Sequence, residues 1–250
     1  MSALPMLLLA LLTHADAFSP AVHRALALRA LELESVSVPP GAAPVQPDQA
    51  AAFARGAADE DWNIFRKWLV WHHYYTPSFR VRSLWRRPSD ERVAMLNGAI
   101  DGALDRHDAH RAWFLAGLLA HHVQDMASPP HVVPVAHGLF DAFESAATAA
   151  RIPSLMGADV PDLDPPDAHR ALAVSTLAAL DRPIECDAGP VASTTFWAPL
   201  AGHFGRVVAP FGRGVGAEGC ADGAGAFLLA RLDEALAYTR AVVRYVARLD

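Results

Sequence analysis

The residues best suited to metal chemistry lie between positions 121 and 141. His121 is followed four residues later by Asp125, and His137 is followed four residues later by Asp141. Residues four apart on a helix project from one face one turn apart, so each pair can reach a single ion. Imidazole and carboxylate together suit zinc, and the two pairs therefore predict a zinc site.

A Pro-Pro-His turn separates these two pairs. Pro129 and Pro130 are expected to end the first helix, because proline lacks a backbone N–H and restricts the residue before it. His131 can then turn back toward the cluster instead of continuing along a helical face. A single His-x-x-x-Asp pair is most often a surface hydrogen bond, but two pairs around such a turn favour a site with more than one zinc ion.

The composition fits a globular metal protein. The 250 residues are 52% hydrophobic and 19% charged, which is enough for one domain with a sizeable core. Twelve histidines against two cysteines favour a metal site, since neutral imidazole is the commonest metal ligand. The net charge of −6 argues against holding nucleic acid by bulk electrostatics, although it leaves local cleavage of nucleic acid open.

The N-terminal segment has the pattern of a secretory signal. An apolar run precedes Ala15-Asp16-Ala17, so we expect a signal peptide at 1–17, a mature domain at 18–250 and a secreted or periplasmic protein. The run is too short to anchor the chain across a membrane. In an oxidising compartment, Cys186 and Cys220 favour a disulfide over a metal-binding pair.

The spacing of apolar residues predicts helices throughout the chain, at about 20–34, 49–55, 89–104, 108–126, 136–151, 167–181 and 223–248. Ser19 and Ser89 are the expected caps of the first and third helices, and Gly56 is expected to end the second. Alternating β patterns are scarce, so the prediction is an all-α, single multi-helix domain. The aromatic-rich segment 62–85 is expected to be irregular and to line a pocket. The glycine-rich segment 212–225 follows no strand and is expected to be a loop, not a phosphate-binding motif.

The order and spacing of the candidate ligands resemble those of the bacterial zinc-dependent phospholipase C family and its relatives, the zinc-dependent single-strand nucleases. The residues that carry this resemblance are His121, Asp125, His131, His137 and Asp141. The resemblance covers the chain from residue 18 to about residue 145. It implies an all-helical domain with three zinc ions, one of which is bound by the amine and carbonyl of the first mature residue. Cleavage after Ala17 would make Phe18 that residue, with His23 following on the first helix.

The resemblance also implies ligands between the N-terminus and residue 121. A His before an aromatic-x-x-Pro stretch corresponds to His73, and an Asp after a Gly-led turn corresponds to Asp59 or Asp61. Asp61 matches better because an aromatic residue follows it. The implied sets are Asp61, His73, His121 and Asp125 for one ion, Phe18, His23 and Asp125 for a second, and His131, His137 and Asp141 for the third.

The function that the resemblance implies is a phosphodiesterase of the phospholipase C type, in which zinc-activated water cleaves phospholipid head groups. Asp61 would also act as general base toward that water. The expected partner is a phospholipid or another phosphodiester, with transient contact to a membrane surface. No stable nucleic-acid partner and no protein partner is inferred. Trp62 and Tyr74 are candidates for a substrate wall, with core packing an equal alternative; the histidines expected to lie away from the metals are His107, His110, His122, His169 and His203.

Two other functions stay open. A single-strand nuclease would use the same ions, and Asp141 slightly favours it because the phospholipases usually carry Glu at that position. A non-catalytic helical protein, whose histidines bind metal or make hydrogen bonds in the core, is the alternative from a different class.

Overall fold

The computed structural model describes residues 18–36, 44–62, 73–75, 88–133, 143, 146–157, 162–191 and 219–250. Most of these residues are helical, and within these ranges β structure is limited to an isolated antiparallel bridge between Ile184 and Val191. The predicted all-α fold is therefore confirmed for this part of the chain. The helices are α1 (Pro20–Val36), α2 (Pro47–Trp62), α3 (Ser89–Leu104), α4 (Ala109–Asp125), α5 (Pro129–Val132), a 3-10 helix (Ala149–Ser154), α6 (Pro165–Leu180) and α7 (Ala221–Leu249).

Local capping explains where several helices begin. Ser19 Oγ accepts a hydrogen bond from the backbone N–H of Val22 at the start of α1, and Asp108 accepts one from Arg111 at the start of α4. The prediction that Ser89 caps the third helix is wrong. Pro88 occupies the cap position of α3 and Ser89 is the first residue of that helix, with its side chain buried. The Ser89 hydroxyl therefore faces the protein interior instead of capping the helix.

Gly56 does not end α2, which continues to Trp62, six residues beyond it. A Cβ atom at Gly56 would lie 2.2 Å from the carbonyl oxygen of Phe114, and one at Gly117 would lie 2.1 Å from that of Phe53. The two glycines thus let the backbones of α2 and α4 touch where these helices cross. The prediction failed because this glycine serves a contact between helices and not a turn.

Helix α4 lies at the centre of the fold. It contacts α1, α2, α3, α6 and α7, and every residue from Leu115 to Asp125 is buried. Most of these residues are apolar and belong to the hydrophobic core. The polar residues His121, His122, Gln124 and Asp125 are therefore obliged to find their partners inside the protein, because burying an unpartnered polar group is costly.

A disulfide joins Cys186 to Cys220, as the sequence predicted. It ties the segment after α6 to the start of α7, and this pairing is consistent with an oxidising, extracytoplasmic compartment. None of the described helices is both long and apolar enough to cross a membrane. The predicted signal peptide, most of the predicted helix 136–151, most of the aromatic segment 62–85 and residues 212–218 of the glycine-rich segment lie outside the described residues. The prediction of a loop is wrong for residues 221–225, which form the first turn of α7.

Candidate metal centre

Five of the predicted ligands come together in the interior. His121 and Asp125 lie on α4, His23 on α1 and His131 on α5, while His73 belongs to the short described segment 73–75. All five side chains are buried, with exposed fractions between 0% and 4%. A buried cluster of four imidazoles around one carboxylate is a costly arrangement unless these groups bind something.

The tightest part of the cluster has the spacing of a zinc coordination shell. Nδ1 of His73 lies 2.7 Å from Oδ2 of Asp125 and 3.2 Å from Nε2 of His121, and that Nε2 lies 3.4 Å from the same Oδ2. Ligand atoms bound at roughly 2.0–2.1 Å around a tetrahedral zinc are about 3.3 Å apart. These three atoms therefore fit one ion with little rearrangement.

The second oxygen of Asp125 faces another histidine. Nε2 of His23 lies 3.5 Å from Oδ1 of Asp125, and the rings of His23 and His121 stack at 3.9 Å between centroids. Oδ1 is buried and accepts no hydrogen bond within the described part of the chain. The structure thus contains two buried groups that can hold metal ions, and Asp125 belongs to both: His23, His121 and Asp125, and His73, His122 and Asp125.

Three of the histidines are each held by a hydrogen bond at Nδ1. Nδ1 of His121 donates to the backbone oxygen of Ala57 at 2.9 Å, and Nδ1 of His131 donates to that of His73 at 2.8 Å. Nδ1 of His23 lies 2.7 Å from Oε1 of Gln124. Metal-binding histidines are typically oriented in this way, by a hydrogen bond from the nitrogen that does not bind the metal.

The orientation of the Gln124 amide is determined by the residue on its other side. Thr239 Oγ1 donates to the backbone oxygen of Ala235 at 2.7 Å and therefore accepts from Nε2 of Gln124 at 3.1 Å. Because the Gln124 nitrogen points to Thr239, its oxygen points to His23, and Nδ1 of His23 must carry a proton. This series of hydrogen bonds keeps Nε2 of His23 unprotonated when the ring is neutral.

His73 has no helix of its own and is positioned by backbone hydrogen bonds. The N–H of Tyr75 donates to the carbonyl of His131 at 2.9 Å, next to the bond that His131 donates to His73. On the other side, the N–H of Ser89 donates to the carbonyl of Tyr74 at 3.3 Å. The segment is thereby held between α5 and the start of α3.

Two members of the cluster, His73 and Asp125, carry the protonation states that metal binding requires. Burial lowers the pKa of His73 to about 3, although the Asp125 carboxylate opposes this change. Burial alone would raise the pKa of Asp125, but His121, His131 and His73 outweigh it and hold this pKa well below its usual range. At neutral pH the site therefore presents a carboxylate and a neutral imidazole.

His122 is a residue that sequence interpretation placed outside the site. Its ring packs against His73 at 4.7 Å between centroids, and it belongs to one of the two groups that can hold a metal. The interpretation treated His122 as an isolated helix histidine. It missed that every position on this part of α4 is buried, so that both members of the His-His pair face polar groups.

Several predicted site residues remain untested by the structure. Phe18 is fully buried with its ring 5.9 Å from that of His23, and its role as a backbone ligand stays a prediction. The Tyr74 ring lies 5.7 Å from His131, which places it beside the cluster without deciding its role. Asp59 and Asp61 lie in the last turns of α2. The side chains of Asp61 and Trp62, and the whole of His137 and Asp141, lie outside the described part.

Comparison of the chain with models of protein families, with curated proteins and with solved structures gave no significant match.

Proposed function

We propose that this protein is a secreted or periplasmic zinc-dependent phosphodiesterase of the phospholipase C type. The observation that carries the proposal is the convergence of three histidines on the two oxygens of Asp125. His73 and His121 face Oδ2, and His23 faces Oδ1. The resemblance in ligand spacing implied this arrangement, with Asp125 shared between two ions.

The proposed reaction needs water activated next to a phosphodiester, and zinc ions bound here would supply that activation and neutralise the leaving oxygen. The protein's own residues prepare the site. Ala57 and Gln124 orient the rings of His121 and His23 through hydrogen bonds of 2.9 and 2.7 Å. Asp125 supplies a buried negative charge that favours divalent cations. Asp61 is the proposed general base, and Trp62 and Tyr74 are the proposed substrate wall.

A third ion bound by His131, His137 and Asp141 completes the proposal. Among these residues the structure describes His131, whose Nδ1 is engaged by the His73 carbonyl. This bond orients the ring in the same way as in His121, which supports a ligand role for its Nε2.

The test begins with the metal content of the purified mature protein. We expect two to three zinc ions per chain, a number taken from the count of ligand sets. We also expect hydrolysis of bis-p-nitrophenyl phosphate that is lost on chelation and restored by zinc. A protein that binds no zinc and hydrolyses no phosphodiester, with or without added metal, would overturn the proposal.

Parallel assays then identify the substrate. Release of the phosphorylated head group from phospholipid vesicles, with diacylglycerol left in the membrane, is the expected activity. Cleavage of single-stranded DNA without action on phospholipid would instead assign the nuclease activity of the related family. Stoichiometric zinc without any hydrolysis would assign a metal-binding role alone.

A further inference from the structure

A hydrogen-bonded network of five buried polar residues lies beside the metal centre and connects four helices. It consists of Arg92 and Ser89 on α3, Glu60 on α2, His122 on α4 and His169 on α6. Each of these side chains is at most 5% exposed. Neither the ligand sets implied by sequence nor the proposed reaction uses any of them.

One end of this network is a charged pair. Nε of Arg92 donates to Oε1 of Glu60 at 2.8 Å, and a second guanidinium nitrogen donates to Oε2 at 3.1 Å. Such a two-point contact fixes the carboxylate in direction as well as in charge. The Arg92 guanidinium thereby leaves Glu60 rigidly aimed at its remaining partner, His122.

His122 is held at both ring nitrogens. Nε2 lies 3.2 Å from Oε1 of Glu60, and Nδ1 lies 3.1 Å from the hydroxyl of Ser89. Because a carboxylate only accepts hydrogen bonds, the Nε2 proton of a neutral His122 donates to Glu60 and Nδ1 accepts from Ser89. The hydroxyl of Ser89 in turn accepts from Nε2 of His169, 3.0 Å away.

The held ring contacts the metal centre directly. His122 packs against His73 at 4.7 Å between centroids, and one of its ring nitrogens lies within 4.8 Å of a ring nitrogen of His73 and a carboxylate oxygen of Asp125. His73 lies in no helix, so the faces against which it packs help to fix its ring. A displaced His122 would leave this side of His73 unsupported.

We propose that Glu60 is a positioning residue for the metal centre, acting through His122 on the ion that His73 and Asp125 bind. The proposal rests on the proposed function, because it requires that an ion is bound there. Arg92 holds Glu60, while Ser89 and His169 hold the opposite nitrogen of His122. The network therefore keeps the distance between His73 and Asp125 suited to an ion.

The test compares the variant Glu60→Gln with Glu34→Gln. Glu34 makes a similar half-buried contact, accepting from Arg240 at 2.6 Å and Arg244 at 2.7 Å, but it lies near the end of α1, eleven residues from His23. Zinc affinity is measured by competition with a chelator, and ligand geometry by the absorption spectrum of the cobalt-substituted protein. We expect about 10- to 100-fold weaker binding of one ion and an altered cobalt spectrum in Glu60→Gln only.

The outcomes separate this inference from the proposed function. A wild-type protein that binds no zinc overturns both. Wild-type zinc binding together with equal affinities and identical cobalt spectra in Glu60→Gln and Glu34→Gln overturns the inference alone. If Glu60→Gln does not fold, Ser89→Ala replaces it, because this variant removes the hydroxyl beside His122 and keeps the Arg92–Glu60 pair. An unchanged affinity and spectrum in Ser89→Ala would then overturn the inference.

Discussion

Oε1 of Gln124 lies 2.7 Å from Nδ1 of His23, so a residue next to Asp125 in sequence orients the histidine on the far side of that carboxylate. Replacing Gln124 by Leu keeps most of the volume and removes this bond. We expect zinc affinity to fall by about 10- to 100-fold for the ion near His23, as is typical when a group that orients a ligand is lost. A chelator titration measures it.

The variant Thr239→Val is a milder change at the same contact, for comparison with Gln124→Leu. It removes the hydroxyl that accepts from the Gln124 amide at 3.1 Å but leaves the amide itself in place. The expected loss of affinity is in the same direction and smaller. Equal affinities in the wild type and in Gln124→Leu would show that the contact with His23 has no part in metal binding.

Asp125 belongs to both of the buried groups that could hold a metal ion. Asparagine in its place keeps the shape and removes the negative charge, so we expect Asp125→Asn to bind neither of the two ions that share this side chain. Chelation should then lower its melting temperature by less than it lowers that of the wild type, because an ion that binds only the folded state stabilises it and the two ions at Asp125 are already absent.

The control for this prediction is Asp101→Asn, which alters a carboxylate that accepts from the hydroxyl of Tyr245. It should keep the full zinc content of the wild type. Zinc bound by Asp125→Asn in wild-type amount would place the metal site elsewhere in the protein.

The sequence predicted the helices and the proximity of His121 to Asp125 well because these signals are local. Ser19, Asp108 and the periodic apolar residues act within a few positions, and His121 and Asp125 share one face of α4. Gly56 was misinterpreted because glycine is required there by the close approach of the α4 backbone, which is distant in sequence. The sequence alone does not distinguish a glycine that ends a helix from one that allows another helix to pack closely against it.

The supporting residues of the site could not be predicted, because their partners are distant along the chain. Gln124 contacts His23 across 101 positions, His122 contacts Glu60 across 62, and Ser89 contacts His169 across 80. His23 and His73 were found only through the resemblance in ligand order. Gln124 alone offered a signal, since it is a polar residue on the same face of α4 as His121.

Because α2 and α4 cross so closely, adding a single methyl group at the crossing is predicted to lower the free energy of unfolding substantially. In Gly117→Ala the new Cβ would lie 2.1 Å from the backbone oxygen of Phe53, which cannot move without shifting α2. We expect a loss of at least about 1–3 kcal/mol in the free energy of unfolding, as for other overpacked interiors. Because Ala57 on α2 accepts from His121, zinc affinity should fall as well.

Gly98→Ala is the control for this substitution. Nothing lies within 4 Å of a Cβ at this exposed position on α3, so alanine should leave stability unchanged or raise it by up to about 1 kcal/mol. Chemical denaturation of both variants measures the difference. Similar stabilities for Gly117→Ala and Gly98→Ala would contradict the close crossing.

The disulfide predicts a separate loss of stability. Cys186 and Cys220 are 34 positions apart, and cross-linking a segment of this length disfavours the unfolded chain by roughly 3–4 kcal/mol in the chain-entropy model. We expect Cys186→Ser combined with Cys220→Ser to lose most of this amount while keeping its zinc content, since neither cysteine belongs to the two metal-binding groups. Unchanged stability under oxidising conditions would show that the bond does not form.

Buried histidines predict how the metal-free protein responds to acid. Burial, aided by His122 and Arg170, lowers the pKa of His169 to about 3, and burial lowers that of His73 to about 3 as well. The unfolded chain binds protons on these residues below a pH of about 6.5 and the folded chain does not. The free energy of unfolding should therefore fall as the pH is lowered from about 6.5 to about 3, by up to about 1.4 kcal/mol per pH unit for each histidine.

The variant His169→Gln isolates one of these contributions. Its amide can still donate to Ser89 but does not titrate, so the decline in stability with falling pH should be less steep than in the wild type by up to about 1.4 kcal/mol per pH unit. Urea unfolding of chelated protein at several pH values measures the slopes. His110→Gln, at an exposed position of α4, checks that the change is specific, and equal slopes in His169→Gln and the wild type would mean that His169 is not buried in a neutral form.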